Sequence, residues 1–257
     1  RRVRVDPRSI SQVVTLKLTE EARREISSCA ARTIWVSVGK GKRRRSRSEL
    51  FRNTTACAPK PIDLSRASEC DFTGQQAGSR CLFPFPSDFH TVPDPSSATG
   101  KRVAFKAASM PRNLGGTPIA PGDYDKLDGF SPGSAILLKV PGLDSPAAMQ
   151  QTGAAPINHI GRYAEPDQPI VVIDATTGQR HPIWSEVDAA ATSAAGTGVQ
   201  IHPATNFASG HHYIVAMRNL KTASGATIPA PEGFRYYRDQ LPAESHRITE
   251  RRPHFEA

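Results

Sequence analysis

Apolar and polar residues alternate in short segments along most of the chain. Residues 12–18 have a period of two, and Ile34, Val36 and Val38 repeat it. Pro or Gly interrupts nearly every apolar cluster, which is typical of short strands joined by turns. The pattern therefore predicts many strands and few helices.

Seven further strands are predicted beyond residue 100, and turn signals separate nearly all of them. Their bounds are residues 102–105, 135–140, 169–174, 181–184, 198–202, 212–217 and 227–228. The segment from Ile170 to Ile173 is apolar on both faces, as in a central strand. We therefore expect a mainly β protein, built as one or two immunoglobulin-like β-sandwiches with a few short helices.

Helical patterns are limited to residues 20–27, 145–152 and 246–257. The last of these stops at the final residue, so we expect the protein to continue into a further domain. Pro84 and Pro86 lack a backbone donor, and the LFPFP segment around them is therefore expected at a sheet edge.

The order of these elements predicts four regions. They are a small basic β module at residues 1–60, a disulfide-stapled Pro-rich connector at 61–95, an immunoglobulin-like β-sandwich at 96–240, and the start of a following segment at 241–257. No run approaches the roughly 18 apolar residues of a membrane-spanning helix, so no transmembrane segment is predicted.

Positive charge is concentrated at one end of the chain, which has 257 residues and a formal net charge of +9. Residues 1–60 hold 16 Lys and Arg against 5 Asp and Glu. The loop at residues 39–48 reads GKGKRRRSRS, and its basic side chains are Lys40, Lys42, Arg43, Arg44, Arg45 and Arg47. This loop is either a solvated hairpin tip or a weak, salt-sensitive site for polyanions. Nucleic acid is not expected as a partner, because almost no aromatic residues lie between these charges to stack on bases.

The four cysteines, Cys29, Cys57, Cys70 and Cys81, lie in the first third of the chain. They include no Cys-x-x-Cys pair, which argues against a zinc site. Of the three possible pairings we favour Cys29 with Cys57 and Cys70 with Cys81, because each closes a local loop. Disulfides persist in oxidising compartments, so we expect an extracellular or cell-envelope location. The alternative is four buried thiols in a cytosolic protein.

The residues before the strand at 212–217 have the spacing of a tyrosine corner, a turn found in Greek-key sandwiches. Residues 206–213 read NFASGHHY. In this interpretation Gly210 permits the sharp turn, Phe207 fills the core, and the Tyr213 hydroxyl bonds to an upstream backbone group. The expected role is structural.

Ser131 lies in the sequence GFSPG at residues 129–133, which matches the G-x-S-x-G pattern of a nucleophile elbow. In an elbow, the residue after the nucleophile donates its backbone N–H to the oxyanion, and Pro132 has no such group. An elbow also needs a strand before it and a helix after it, whereas a polar loop and a predicted strand flank Ser131. We therefore assign no catalytic residue and keep Ser131 only as a weak candidate.

Asp123, Asp125 and Asp128 lie close together in one loop and are weak candidates for binding Ca²⁺. They miss the spacing of an EF-hand, and a solvated loop is the favoured interpretation. His211 and His212 are adjacent, but neighbours on a strand point to opposite faces and do not readily share a metal. No glycine motif for nucleotides is present. We therefore expect neither a metal nor a cofactor.

Four pieces of the chain carry a resemblance to a known family. They are CLFPFPSDF at residues 81–89, DGFSPGSAI at 128–136, QPIVVIDATTG at 168–178 and HPATNFASGHHYIVAMRNLKTASG at 202–225. Through them, the region from about residue 70 to residue 237 resembles the N-terminal region of bacterial exported lipase-like proteins, the virulence-factor lipase N-terminal family. Large secreted proteins of actinobacteria belong to this group.

The resemblance implies an immunoglobulin-like domain that precedes an α/β-hydrolase-like catalytic domain, and none of that domain's catalytic residues maps onto this sequence. We therefore expect a non-catalytic accessory or binding region of an exported protein. Its expected partners are a downstream domain of the same protein and cell-surface or lipid-like material. The alternative is an extracellular ester hydrolase whose chemistry lies outside or at the edge of this segment.

Overall fold

The computed structural model describes residues 19–20, 32–38, 45–51, 70, 81–242 and 249–256. The chain divides into two compact units, Arg1–Lys60 and Pro61–Ala257. The strand predicted at residues 12–18 and most of the helix predicted at 20–27 lie outside the described residues.

In the first unit, strand β1 (Arg32–Val38) pairs with strand β2 (Arg45–Phe51) in an antiparallel hairpin. The loop predicted at residues 39–48 is wrong at its C-terminal end, because β2 already begins at Arg45. Arg45 lies opposite Val38, and Arg47 lies opposite Val36. Strand pairing uses backbone groups, so a run of alternating Arg and Ser can extend a ladder as readily as an apolar run.

The second unit contains eight described strands in three antiparallel sheets. The strands are β3 (Thr91–Pro93), β4 (Lys101–Val103), β5 (Ile136–Leu138), β6 (Ile170–Asp174), β7 (Arg180–His181), β8 (Ile183–Val187), β9 (Val199–Pro203) and β10 (Tyr213–Met217). Strand β3 pairs with β4, a second sheet has the order β5-β9-β8, and a third has the order β10-β6-β7. The expectation of a mainly β protein is confirmed.

Alternate residues of the two three-stranded sheets are buried in one hydrophobic cluster. Its fully buried members from these sheets are Ile170, Val172, Ile183, Val199 and Ile201. In β5, β6, β8 and β9 the period of two seen in the sequence therefore marks the core-facing side of the strand. Removing such apolar surface from water is the main favourable term in folding this unit.

Helices are short and few in the described part of the chain. The α-helices are Pro146–Thr152, Glu232–Arg238 and Arg252–Glu256, and 3-10 helices cover Asp88–His90, Ala107–Ser109, Pro121–Asp123 and Ile157–Ala164. The first α-helix was predicted, and its ends have sequence signals. The Ser145 hydroxyl accepts a hydrogen bond from the Ala148 N–H at 3.2 Å, and Gly153 ends the helix with φ of +79°.

The LFPFP segment lies at a sheet edge, as predicted. Phe85 forms an isolated bridge with Leu137 of β5, in which each residue donates its N–H to the carbonyl of the other at 2.8 and 2.6 Å. The Phe85 ring also contacts the rings of Phe105 and Phe130. Two cis prolines, Pro84 and Pro86, flank this bridge.

The disulfides and the membrane-spanning segments expected from the sequence can be compared with the described residues. Cys70 and Cys81 form a disulfide, as predicted, while Cys29 and Cys57 lie outside the described residues.

Within the described residues, no helix has the length and apolar character that crossing a membrane requires.

Candidate functional site

Two loops meet at one end of the β10-β6-β7 sheet because of its register. Strand β6 ends at Asp174, strand β10 begins at Tyr213, and these two residues are directly opposite each other. The loop after β6 and the loop before β10 are therefore neighbours, and the Ala175 N–H donates to the His212 carbonyl at 2.8 Å. We call the side chains gathered here, which are Asp174, His181, Phe207, His211 and Tyr213, the histidine corner.

Asp174 and His211 form the hydrogen-bonded pair of the histidine corner. The Nδ1 of His211 lies 2.9 Å from the Oδ2 of Asp174, and the two side chains are 29% and 12% exposed. The other carboxylate oxygen, Oδ1, accepts the Thr176 N–H at 2.9 Å. Asp174 therefore fixes the turn that follows its own strand and the loop that carries His211.

The pKa of Asp174 lies below its ordinary value through opposing effects. Burial is the largest single effect and raises this pKa. Hydrogen bonds from His211, from the Thr176 amide and from the Thr177 side chain together outweigh it. Asp174 is therefore ionised at neutral pH, and its carboxylate holds the His211 ring through Nδ1.

Three rings pack beside this pair. The His181 ring lies 4.6 Å from the Phe207 ring and 5.5 Å from the Tyr213 ring, and the Phe207 and Tyr213 rings are 4.5 Å apart. The Nε2 of His181 donates to the Thr205 carbonyl at 2.8 Å. His181 is therefore locked in place by one hydrogen bond and two ring contacts.

The residues predicted as a tyrosine corner lie within this cluster. The Tyr213 hydroxyl accepts the backbone N–H of Ala208, five residues upstream, at 2.8 Å. Gly210 has φ of +75°, a conformation that residues with a side chain rarely adopt. The Phe207 ring is half-buried and packs against the main hydrophobic cluster.

Ser131 lies in a turn next to this loop. The Pro132 carbonyl accepts the Phe207 N–H at 3.0 Å, and the Ser131 carbonyl accepts the Ser134 N–H at 3.0 Å. The turn leads into strand β5 and not into a helix. Among the described residues, none forms a hydrogen bond with the Ser131 hydroxyl, so the structure does not join Ser131 to His211.

The other sequence candidates lie elsewhere. Asp123 ends a 3-10 helix, and the exposed Asp125 and the half-buried Asp128 follow it in a loop. Among the described residues, no group of three or more His, Cys, Asp or Glu is placed to hold a metal ion. Arg45 and Arg47 lie in β2, while Lys40, Lys42, Arg43 and Arg44 lie outside the described residues.

Sequence reasoning placed Tyr213, Gly210 and Phe207 in one turn but missed the Asp174–His211 pair. The two residues are 37 positions apart, and no sequence motif joins them. The one usable signal was their position at the ends of two predicted strands. That signal identifies a pair only when the strands are known to be neighbours.

No protein-family model, no curated protein and no solved structure matches the chain.

Proposed function

We propose that this chain is a non-catalytic accessory region of an exported protein, which acts by holding a partner segment in place. The observation that carries the proposal is the histidine corner. Each of its polar side chains bonds to a loop of the same chain: Asp174 to His211 and Thr176, His181 to Thr205, and Tyr213 to Ala208. Such an arrangement makes the loops rigid, and in the part of the chain that the structure describes no nucleophile is in hydrogen-bonding contact with His181 or His211.

We also propose that the two three-stranded sheets form an immunoglobulin-like sandwich. Two three-stranded antiparallel sheets contribute buried residues to one cluster, which supports two facing layers. The bond from Ala208 to the Tyr213 hydroxyl has the form of a tyrosine corner, a feature of such sandwiches.

Export and the relation to lipase-like proteins are also part of the proposal. The disulfide between Cys70 and Cys81 supports an oxidising compartment. The resemblance of residues 81–89, 128–136, 168–178 and 202–225 to exported lipase-like proteins supports a place beside a hydrolase domain. The accessory region would then position that domain or contact cell-surface or lipid-like material.

A second function, ester hydrolysis by this chain itself, is favoured by one observation. The carboxylate of Asp174 holds the Nδ1 of His211, which is how an acid orients a catalytic base. Among the described residues no side chain bonds to the Nε2 of His211, the ring nitrogen that acts as the base in such an arrangement.

An ester-hydrolysis screen separates the two functions. The purified chain is incubated with p-nitrophenyl esters of short and long acids, beside the His211→Gln and Ser131→Ala variants. The accessory function predicts no turnover above the buffer rate for any of the three proteins. Turnover by the native chain that disappears in His211→Gln contradicts the proposal and establishes the second function.

A further inference from the structure

Residues 249–256, which we call the latch, pack against two other parts of the second unit. The first part is the helix Glu232–Arg238. The ring of Phe255 stacks on the ring of Tyr237, with their centroids 4.0 Å apart, and the Arg252 guanidinium lies 4.3 Å from the centroid of the Tyr236 ring. The three aromatic rings belong to a small hydrophobic cluster that is separate from the main one.

Asp88 and Phe89 form the second part that the latch contacts. The Nε2 of His254 lies 2.8 Å from the Oδ2 of Asp88, and a guanidinium nitrogen of Arg251 lies 3.9 Å from the Oδ1. The Arg251 guanidinium also lies 5.0 Å from the centroid of the Phe89 ring and 5.4 Å from that of the Phe255 ring. Arg251 therefore contacts a carboxylate and two aromatic rings, all of which attract a cation.

The closed position of the latch depends on these contacts. Its helix has five residues, and isolated helices shorter than about 12 residues are marginal in water. Residues 249–256 read TERRPHFE, so Phe255 is the one large apolar side chain of the latch. In the part of the chain that the structure describes, no latch residue belongs to the main hydrophobic cluster. The latch can therefore open while the sheets of the second unit stay folded.

Charge contributes to this closure and is open to salt. The side chains of Asp88 and Arg251 are each 25% exposed, and the Lys101 ammonium lies 4.0 Å from the same carboxylate. Dissolved ions screen pairs that water reaches. Asp88 is therefore the residue through which ionic strength acts on the latch.

We propose that Asp88, Phe89, Tyr236 and Tyr237 form a docking surface for a segment in which an arginine precedes an aromatic residue by four positions. Residues four apart on a helix lie on the same face, so such a segment presents both groups together. The latch is a segment of this kind, and in the closed position it fills the surface and blocks it. This inference goes beyond the proposed accessory function, because it uses none of the residues of the histidine corner.

The test supplies the latch as a separate molecule. A labelled peptide with the sequence TERRPHFE is titrated into the full chain, and binding is followed by fluorescence anisotropy. In the double variant Arg251→Ala with Phe255→Ala, the chain's own latch loses its main contacts while the docking surface is unchanged. The peptide is expected to bind this variant at least tenfold more tightly than the native chain, whose tethered latch competes at an effective concentration of about a millimolar. Equal affinity for the two proteins, or no binding to either, overturns the proposal.

A further substitution locates the binding on the docking surface. Asp88→Asn, added to the double variant, is expected to weaken peptide binding at least tenfold. Asp125→Asn in the same background is the control, because Asp125 is an exposed carboxylate elsewhere in the unit. Equal affinity in the Asp88→Asn and Asp125→Asn proteins overturns the proposal. Circular dichroism checks that each variant is folded.

Hydrogen exchange tests the latch in the native chain, without any substitution. Amide exchange in residues 251–256 is measured by mass spectrometry at about 0.05 M and about 0.5 M salt, which differ in how strongly they screen charges. Exchange in the latch is expected to be at least threefold faster at high salt, and exchange in strands β6 and β9 to stay the same. Latch exchange that does not respond to salt overturns the role given to Asp88.

A second copy of the chain is the other source of a latch. Dimers of the native chain in sedimentation velocity that are lost in the double variant overturn closure within one chain in favour of exchange between two copies. Ester turnover bears on the proposed function alone, so failure of the two proposals is told apart.

Discussion

The backbone N–H of Ala208 donates to the hydroxyl of Tyr213 at 2.8 Å, so the loop before β10 is tied to the first residue of that strand. The same loop carries His211, which bonds to Asp174 at the end of β6. The turn at Gly210 and the start of the strand are thus held from two sides.

Replacing Tyr213 with Phe keeps the ring contacts with Phe207 and His181 but removes the acceptor for the Ala208 N–H. We expect the free energy of unfolding to fall by about 1 kcal/mol, the usual worth of one such hydrogen bond. Urea denaturation followed by circular dichroism measures it. The control is Tyr124→Phe, because the Tyr124 hydroxyl makes no hydrogen bond within the described residues. Equal effects for the two variants would contradict the role of the Tyr213 hydroxyl.

His90 makes stability depend on pH near neutrality. Its ring is buried, and its Nε2 donates to the Leu82 carbonyl at 2.8 Å. Burial lowers the pKa of His90 below 6.5, although the Leu82 carbonyl acts in the opposite direction. The unfolded chain therefore takes up a proton at this residue before the folded chain does, and stability falls as pH drops below about 6.5.

The prediction is tested with His90→Gln, which removes this titration. The variant should lose less of its own stability than the native protein does between pH 7.5 and pH 5.5, values chosen on either side of the ordinary histidine pKa. His212→Gln is the control, since His212 is exposed. If the stability of His90→Gln falls as steeply between these pH values as that of the native protein, the prediction is wrong.

Asp94 makes a second contribution to the pH dependence of stability, in the acid range. Its carboxylate accepts hydrogen bonds from the Ser96 hydroxyl and from Arg102, at 2.6 and 2.7 Å, and from the Ser96 amide at 2.9 Å. These bonds lower the pKa of Asp94 to about 2 from 3.8. Its contribution to stability is therefore complete above pH 3.8 and is lost as pH falls toward 2.

Asp94→Asn should show a shallower loss of stability than the native protein between pH 5 and pH 2, where native Asp94 becomes protonated. Asp125→Asn is the matched control, because Asp125 is exposed and makes no hydrogen bond within the described residues. The measurement is the midpoint of thermal unfolding at each pH. If the unfolding midpoints of Asp94→Asn and the native protein fall in parallel as the pH is lowered, Asp94 does not have this role.

The disulfide between Cys70 and Cys81 closes a loop with a sequence separation of 11. In the chain-entropy description, a crosslink of this length restricts the unfolded chain and stabilises the fold by about 3 kcal/mol. The double variant Cys70→Ser with Cys81→Ser should be less stable by that amount in urea denaturation. Unchanged stability would show that the bond does not hold this segment.

The strands were predictable from the sequence, because burial of one face of a strand makes apolar residues recur at every second position. Residues 169–174, 198–202 and 212–217 were predicted and coincide closely with β6, β9 and β10. The strand predicted at 181–184 is divided in the structure, since Pro182 separates β7 from β8. Residues 227–228 contribute only an isolated bridge between Lys221 and Thr227.

Strand pairing was not predictable, and the Asp174–His211 pair depends on it. Backbone hydrogen bonds connect strands irrespective of side-chain type, so one sequence contains little information about which strands are neighbours. The helix Glu232–Arg238 was missed for another reason. Its buried residues Tyr236 and Tyr237 form a small cluster with Leu241 and Phe255, and this cluster follows only from the tertiary structure.

We propose that the polar side chains of the histidine corner serve structure and not catalysis. The most direct measurement is a paired one on His211→Gln: its free energy of unfolding in urea and its rate of p-nitrophenyl ester hydrolysis, each beside the native chain. We expect a loss of stability in the variant and no turnover in either protein. Turnover in the native chain that vanishes in a variant of unchanged stability would contradict it.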